Sequence, residues 1–130
     1  MAAHLVHALP PAVLDPRDTL IAVPAHPGRR RRRGYDHAEA LAHALAARTG
    51  QEVASPLVRT ATRDARQRGA GRAQRLSGAA LAITAHRRAP ARCLLVDDVR
   101  TTGATLRVCA EVLRAAGARR VHAVAYAQAP

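Results

Sequence analysis

Lysine is missing from this chain of 130 residues: its 21 basic residues are all arginine. Without lysine there can be no Walker A loop, which ends in Gly-Lys-Ser/Thr. Phenylalanine and tryptophan are missing too, and Tyr35 and Tyr126 are the only aromatics. That leaves no row of rings on which successive bases of a single strand could stack, and the core must be built from Ala, Leu and Val. The two cysteines, Cys93 and Cys109, each sit within an apolar pattern. Burial as thiols is therefore expected, not a disulfide or a zinc site. No stretch approaches the roughly 18 to 20 apolar residues of a membrane span. Residues 1–14 have no basic leader and are broken by Pro10 and Pro11, so they do not read as a signal peptide. The cytoplasm, with no membrane partner, is the expected location.

What the chain does have is charge and a clear alternation. Arginine outnumbers the nine acidic residues enough to give a formal charge of +12, while 48% of residues are hydrophobic. The length suits one α/β domain. The most informative stretch runs from Cys93 to Thr105. Cys93-Leu94-Leu95-Val96 reads as a central parallel strand covered on both faces, ending at the charges of Asp97 and Asp98. Thr101, Thr102, Gly103 and Thr105 then lead into a run whose apolar positions Leu106, Cys109, Ala110 and Leu113 recur at helical spacing. A helix start carries unpaired N–H groups and a partial positive charge. With Gly103 allowing close approach and threonines supplying hydroxyls, such a loop can hold a monophosphate without lysine. Asp97 and Asp98 lie where the hydroxyls of an attached sugar would reach, directly or through Mg²⁺. The plainer alternative is that Asp98 caps the next turn and Asp97 is solvated.

A second segment begins with the short apolar strand Leu20-Ile21-Ala22-Val23, continues through Pro24-Ala25-His26-Pro27-Gly28, and enters five consecutive arginines, Arg29 to Arg33. This run lies between a strand and an expected helix over Asp36 to Thr49, inside the fold, where arginine forks suit phosphate oxygens. Arg59 to Gly78 is polar, glycine-bearing and arginine-rich, which suits either a flexible flap or a disordered basic loop. His26, His37 and His43 have no metal-ligand spacing and read as solvated or loop residues.

The thirteen residues from Cys93 resemble the phosphoribosyl pyrophosphate (PRPP) signature of type I phosphoribosyltransferases. Val23 to Arg29 and Arg33-Gly34-Tyr35-Asp36-His37-Ala38 resemble the early segment of the ComF subfamily, with Ala22, Tyr35, Asp36 and His37 as mild departures. Gln67 to Arg72 with Arg75 is a degraded form of a third family motif. The resemblance covers roughly Leu20 to Ala127. It implies a pentosyl-transferring glycosyltransferase in which Thr101, Thr102, Gly103, Ala104 and Thr105 cradle the 5-phosphate. Asp97 and Asp98 would hold the ribose hydroxyls and Mg²⁺ as catalytic and metal-binding residues. Ala25, His26, Arg29 and Arg33 would face the pyrophosphate. Arg100 stands where the family usually has an apolar residue. ComF proteins commonly carry an N-terminal four-cysteine zinc module, which this sequence lacks, so residues 1–19 are expected to be the lead left from a longer N-terminal region and 20–130 the transferase-like domain.

The implied fold is a type I phosphoribosyltransferase-like α/β domain, a parallel sheet flanked by helices with a flexible flap and ligands at the carboxyl ends of the strands. The expected elements are a helix-like lead over 2–9, strands at 20–23, 52–58, 81–83, 92–96 and 121–125, and helices at 36–49 and 105–116, with Gly50 and Gly117 closing the helices. The acceptor is not legible. The competing function is a non-catalytic, competence-related protein that binds single-stranded nucleic acid, to which a charge of +12 is suited. A homo-oligomer is compatible with either reading.

Overall fold

Alternating strands and helices of this composition have to cover both faces of a small sheet, and the computed structural model does so. It describes residues 7–8, 14–25, 36–60, 82–100 and 102–128. The elements are β1 (Thr19–Ala22), α1 (His37–Thr49), β2 (Leu57–Arg59), β3 (Ile83–Ala85), β4 (Arg92–Arg100), α2 (Ala104–Ala115) and β5 (Arg120–Gln128). β1, β4 and β5 form a parallel sheet in that spatial order, with β4 in the centre. Beyond β1 a single parallel bridge joins Leu20 to Val53. It is held by Leu20 N–H to Glu52 O at 2.8 Å and Ala54 N–H to Leu20 O at 3.0 Å.

The apolar runs of β1 and β4 have no polar face because each face meets its own helix. Side chains alternate across a strand, so Ile21, Val23, Cys93 and Leu95 join one core with Leu106, Cys109 and Leu113 of α2. Leu20, Leu94 and Val96 join the other with Leu41, Ala42 and Leu45 of α1. Burying each Leu or Ile contributes roughly 1.5–3 kcal/mol relative to exposure, and Leu20, Ile21, Leu94 and Leu95 are fully buried. The buried positions of α1, Ala38, Leu41, Ala42 and Leu45, follow one helical stripe. Asp36 caps that helix by accepting from the Glu39 amide at 3.1 Å. Gly50, at φ +75°, ends it with its own N–H bonded to Ala46 O in the left-handed geometry that glycine favours.

Three expectations need correction. The strand expected over 52–58 is broken: Val53 bridges to Leu20, whereas Leu57–Arg59 leaves the parallel sheet and pairs antiparallel with Ile83–Ala85. Pro56, between the two, has no N–H to continue a ladder. The short strand expected at 81–83 lies at Ile83–Ala85. Finally, β4 does not stop at Asp97. It pairs with β5 as far as Arg100 opposite Gln128, because ladder bonds use backbone groups and do not depend on side-chain charge.

β2 and β3 close the two ends of the expected flap, with Thr60 N–H to Ala82 O at 3.0 Å continuing their ladder; residues 61–81 of that segment lie outside the described residues. In the expected N-terminal helix, His7 and Ala8 are described and are helical. Among the described residues no helix is long and apolar enough to cross a membrane.

Candidate functional site

The upper end of the sheet, where its strands finish, holds the residues singled out from the sequence. Strand alternation sends Asp97 to the α2 face, in line with Cys93 and Leu95, and Asp98 to the α1 face, in line with Leu94 and Val96. Both carboxylates are partly buried. Asp97 Oδ1 accepts from the Asp98 amide at 2.9 Å, and Asp98 Oδ1 accepts from the Val99 amide at 2.9 Å. The two acids therefore brace the last turn of strand backbone and stand on opposite sides of it.

The chain then passes into α2 through Thr102 and Gly103. Gly103 is the N-cap at φ +82° and offers no side-chain cap, and the first turn of α2 has no acidic residue. A positive φ is inexpensive only for glycine. The Ala104 amide donates to Thr102 Oγ1 at 3.2 Å, and the first amide bonded back into the helix is that of Arg107, to Gly103 O at 3.0 Å. The amides of Thr105 and Leu106 thus precede the helical ladder at the positive end of the helix dipole, with no carboxylate in the first turn to neutralise it. Chemically this is an anion cradle adjoining two carboxylates.

Ala25 follows β1 on the same end of the sheet, steered there by Val23 N–H to Val96 O at 2.9 Å. Thr102, Gly103, Ala104, Thr105, Asp97, Asp98 and Ala25 are thereby brought to one end of the fold. Thr101, His26, Arg29 and Arg33 lie outside the described residues.

Two residues at this end carried no such role in the sequence reading. Arg59 reads there as the first residue of the flap, yet it closes β2 close enough to act on the Cys109 thiol, as Asp97 does. Tyr126 lies on β5 between the partners of Asp97 and Val99. That places it on the α1 face beside Asp98, 39% exposed. Strand register, which the sequence does not print, is the signal that finds it. Burial, followed by the Asp97 charge, pushes the Cys109 thiol up to about 12, with Arg59 opposing. Cys109 is thus a neutral packing group behind the site.

The lower end of the sheet is built differently. Arg92, the first residue of β4, donates through Nε to Asp18 Oδ1 at 2.9 Å and through Nη2 to Asp15 Oδ2 at 2.7 Å. Asp18 is buried, and Gln51 Nε2 donates to the carbonyls of Asp15 and Asp18 at 2.9 and 3.1 Å. Hydrogen bonds from the Arg17 side chain and amide hold the Asp15 carboxyl well below the usual carboxylate range. Burial, with Asp18 adding to it, pushes the Cys93 thiol up to about 11.

A strand with two adjacent carboxylates near its end, followed by an uncapped glycine at a helix start, on a parallel sheet covered on both faces, agrees with what family comparison finds. The family model described as phosphoribosyl transferase domain matches residues 31–130. The chain belongs to that family. No curated protein and no solved structure matches it. Membership as a phosphoribosyl transferase domain assigns the general chemistry, transfer of a phosphoribosyl group, and a ribose phosphate as its substrate class. The matched span contains both acids, the helix start, and all of the parallel sheet except β1.

Proposed function

We propose that the chain is a cytoplasmic, ComF-type phosphoribosyltransferase that binds PRPP with Mg²⁺ and transfers its phosphoribosyl group with displacement of pyrophosphate. The observation that carries this reading is the junction of β4 and α2: a glycine N-cap at φ +82° and a first turn without acid, directly beyond Asp97 and Asp98. In this reading the 5-phosphate sits on the first turn of α2, bonded by the Thr102 hydroxyl and the early amides of the helix. With the phosphate fixed there, the ribose hydroxyls reach the carboxylates. Asp98 takes them on the α1 face, and Asp97 adds negative potential from the α2 face. Negative charge beside the ring stabilises the positive charge that grows on it as the bond from the anomeric carbon to pyrophosphate breaks. Ala25, with His26, Arg29 and Arg33, would flank the departing pyrophosphate.

Among the described residues no cluster of three or more His, Cys, Asp or Glu could hold a metal by itself. Mg²⁺ does not need such a cage: it keeps several waters and takes one or two carboxylates together with phosphate oxygens, so Asp98 or Asp97 with the substrate fits it. The bound ion would neutralise charge on the leaving group.

A thermal-shift titration with PRPP, with and without Mg²⁺, tests this. Ligand at about 100 times its dissociation constant adds roughly 2.7 kcal/mol, and a Mg²⁺-dependent rise in Tm is expected. Asp98→Asn should weaken PRPP binding by about tenfold, the order of one lost charge-assisted hydrogen bond, while urea unfolding stays within about 0.5 kcal/mol of the parent. No PRPP response from the folded parent protein, or equal affinity in Asp98→Asn, would overturn the assignment.

A further inference from the structure

The ribbon of β2 and β3 carries an arginine into the core layer that also receives Asp97. Leu57 is buried, Val58 is exposed and Arg59 is half-buried, so alternation along the strand returns Arg59 to the side of Leu57. Its partner across the ladder is Ile83, and residues directly opposite one another share a face. Leu57 and Ile83 both pack into the core of α2 with Leu95, Leu106 and Cys109. Asp97, two residues beyond Leu95 on β4, enters the same layer and is half-buried as well. Two elements thus bring opposite charges toward one thiol. Asp97 makes Cys109 harder to ionise and Arg59 makes it easier, which places both within electrostatic reach of it.

The ribbon end that carries Arg59 is held in shape. Thr60 N–H donates to Ala82 O at 3.0 Å, and the Thr60 hydroxyl donates to the same oxygen at 3.4 Å. Ala82, at φ +50°, is the one non-glycine residue at positive φ among the described residues. Such a backbone is strained, and the strain persists only where the surroundings fix it.

An arginine at a strand end often lifts its head into water along an apolar stem. Here the stem starts from the buried side of a fixed ribbon, and a half-buried carboxylate stands in the same layer. Taking either charge partly out of water is costly alone, and each offsets that cost for the other. Asp98 has a different setting, on the opposite face of β4 in line with Leu94 and Val96.

We propose that Arg59 is a positioning residue for phosphoribosyl transfer, compensating the charge of Asp97 across Cys109 so that Asp97 stays a fixed anion of the site and Asp98 is the carboxylate that exchanges partners with hydroxyls and Mg²⁺. The role in transfer rests on the function proposed above, whereas the coupling of Arg59 to Asp97 does not.

The test is a double-mutant cycle of Arg59→Gln and Asp97→Asn, with each protein read twice, as Tm without ligand and as PRPP affinity with Mg²⁺. Without ligand, Arg59→Gln should lower Tm by roughly 2–4 °C in the parent and by less than about 1 °C in Asp97→Asn. PRPP affinity should fall about tenfold in the parent and stay within about twofold in Asp97→Asn. Arg59→Lys keeps the charge and should recover most of the affinity, which lysine would not do for a guanidinium gripping the ligand bidentately. Equal losses from Arg59→Gln in both backgrounds would mean that Arg59 acts independently of Asp97 and would overturn the proposal. So would a Tm and an affinity that Arg59→Gln leaves unchanged in the parent. A folded parent without any PRPP response would overturn the proposed function and with it the role in transfer, while the ligand-free cycle would still decide whether Arg59 and Asp97 are coupled.

Discussion

At the lower end of the sheet Asp15 and Asp18 are locked to Arg17, Arg92 and Gln51 within 3.1 Å. At the upper end Asp97 and Asp98 accept from the amides that follow them in the chain, beside a helix start that carries no acid. One strand, β4, thus has a salt-bridged foot and a polar head. At the foot Arg92 bonds to carboxylates more than 70 residues away in sequence, and that is work for stability. At the head each carboxylate accepts from the backbone amide that follows it, and the acid-free first turn of α2 adjoins them. The difference teaches where to expect a loss of folding on substitution and where a loss of binding.

Arg92→Ala is expected to have the largest effect on stability. It strips the buried Asp18 carboxylate of its cation and Asp15 of one of its partners. Breaking such a pair by removing one member costs about 3 kcal/mol or more, to be read as a fall in the urea midpoint. A cost below about 1 kcal/mol would remove the foot from the stabilising elements and break the contrast.

Next comes a pair of glycine substitutions. Gly103 and Gly50 have similar left-handed backbones, φ +82° and +75°, so either Gly103→Val or Gly50→Ala should cost about 1–2 kcal/mol. Only Gly103→Val should abolish the PRPP-induced Tm shift, because only Gly103 stands at the cradle. If both variants kept the PRPP response, the cradle would be in the wrong place; if both lost it, strain would be the cause.

A smaller effect appears in alkali. Both thiols are raised in the folded chain, to about 11 for Cys93 and about 12 for Cys109, from an ordinary value of 9.0. The unfolded chain therefore loses these protons first. The stabilisation is complete below pH 9 and falls as pH rises through 9 toward 11 and 12. Urea midpoints measured from pH 8 to pH 11 should decline, and Cys109→Ala should flatten the decline. An unchanged slope in that variant would mean the thiol is not protected. For Asp15 at the foot the sign is opposite: its lowered value contributes stability above about 3.8 that fades as pH falls below it.

Much of this architecture is legible in the residues. Leu20 to Val23 and Cys93 to Val96 mark buried strands because runs without a polar face fit only a sheet covered twice. Gly50 marks the end of α1 for conformational reasons that hold in any context. The helix start at Thr102 to Thr105 stands out because small and hydroxyl residues after an acidic strand end form a recognisable local pattern. What misleads is what pairing decides: Glu52 to Val58 has the composition of one strand, and Pro56 together with a distant partner at Ile83–Ala85 splits it.

The sequence by itself determined the fold class, the strand–loop–helix unit around Asp97, Asp98 and Gly103, and the strong positive charge, since each depends on neighbouring residues or on composition. The tertiary structure alone decided which charges meet. Arg92 finds Asp15 and Asp18, Arg59 approaches Cys109, Tyr126 comes beside Asp98, and Arg88 crosses Gly117. Those pairings depend on strand register and on how distant loops are tied together, and such contacts are fixed only when the whole sheet has formed.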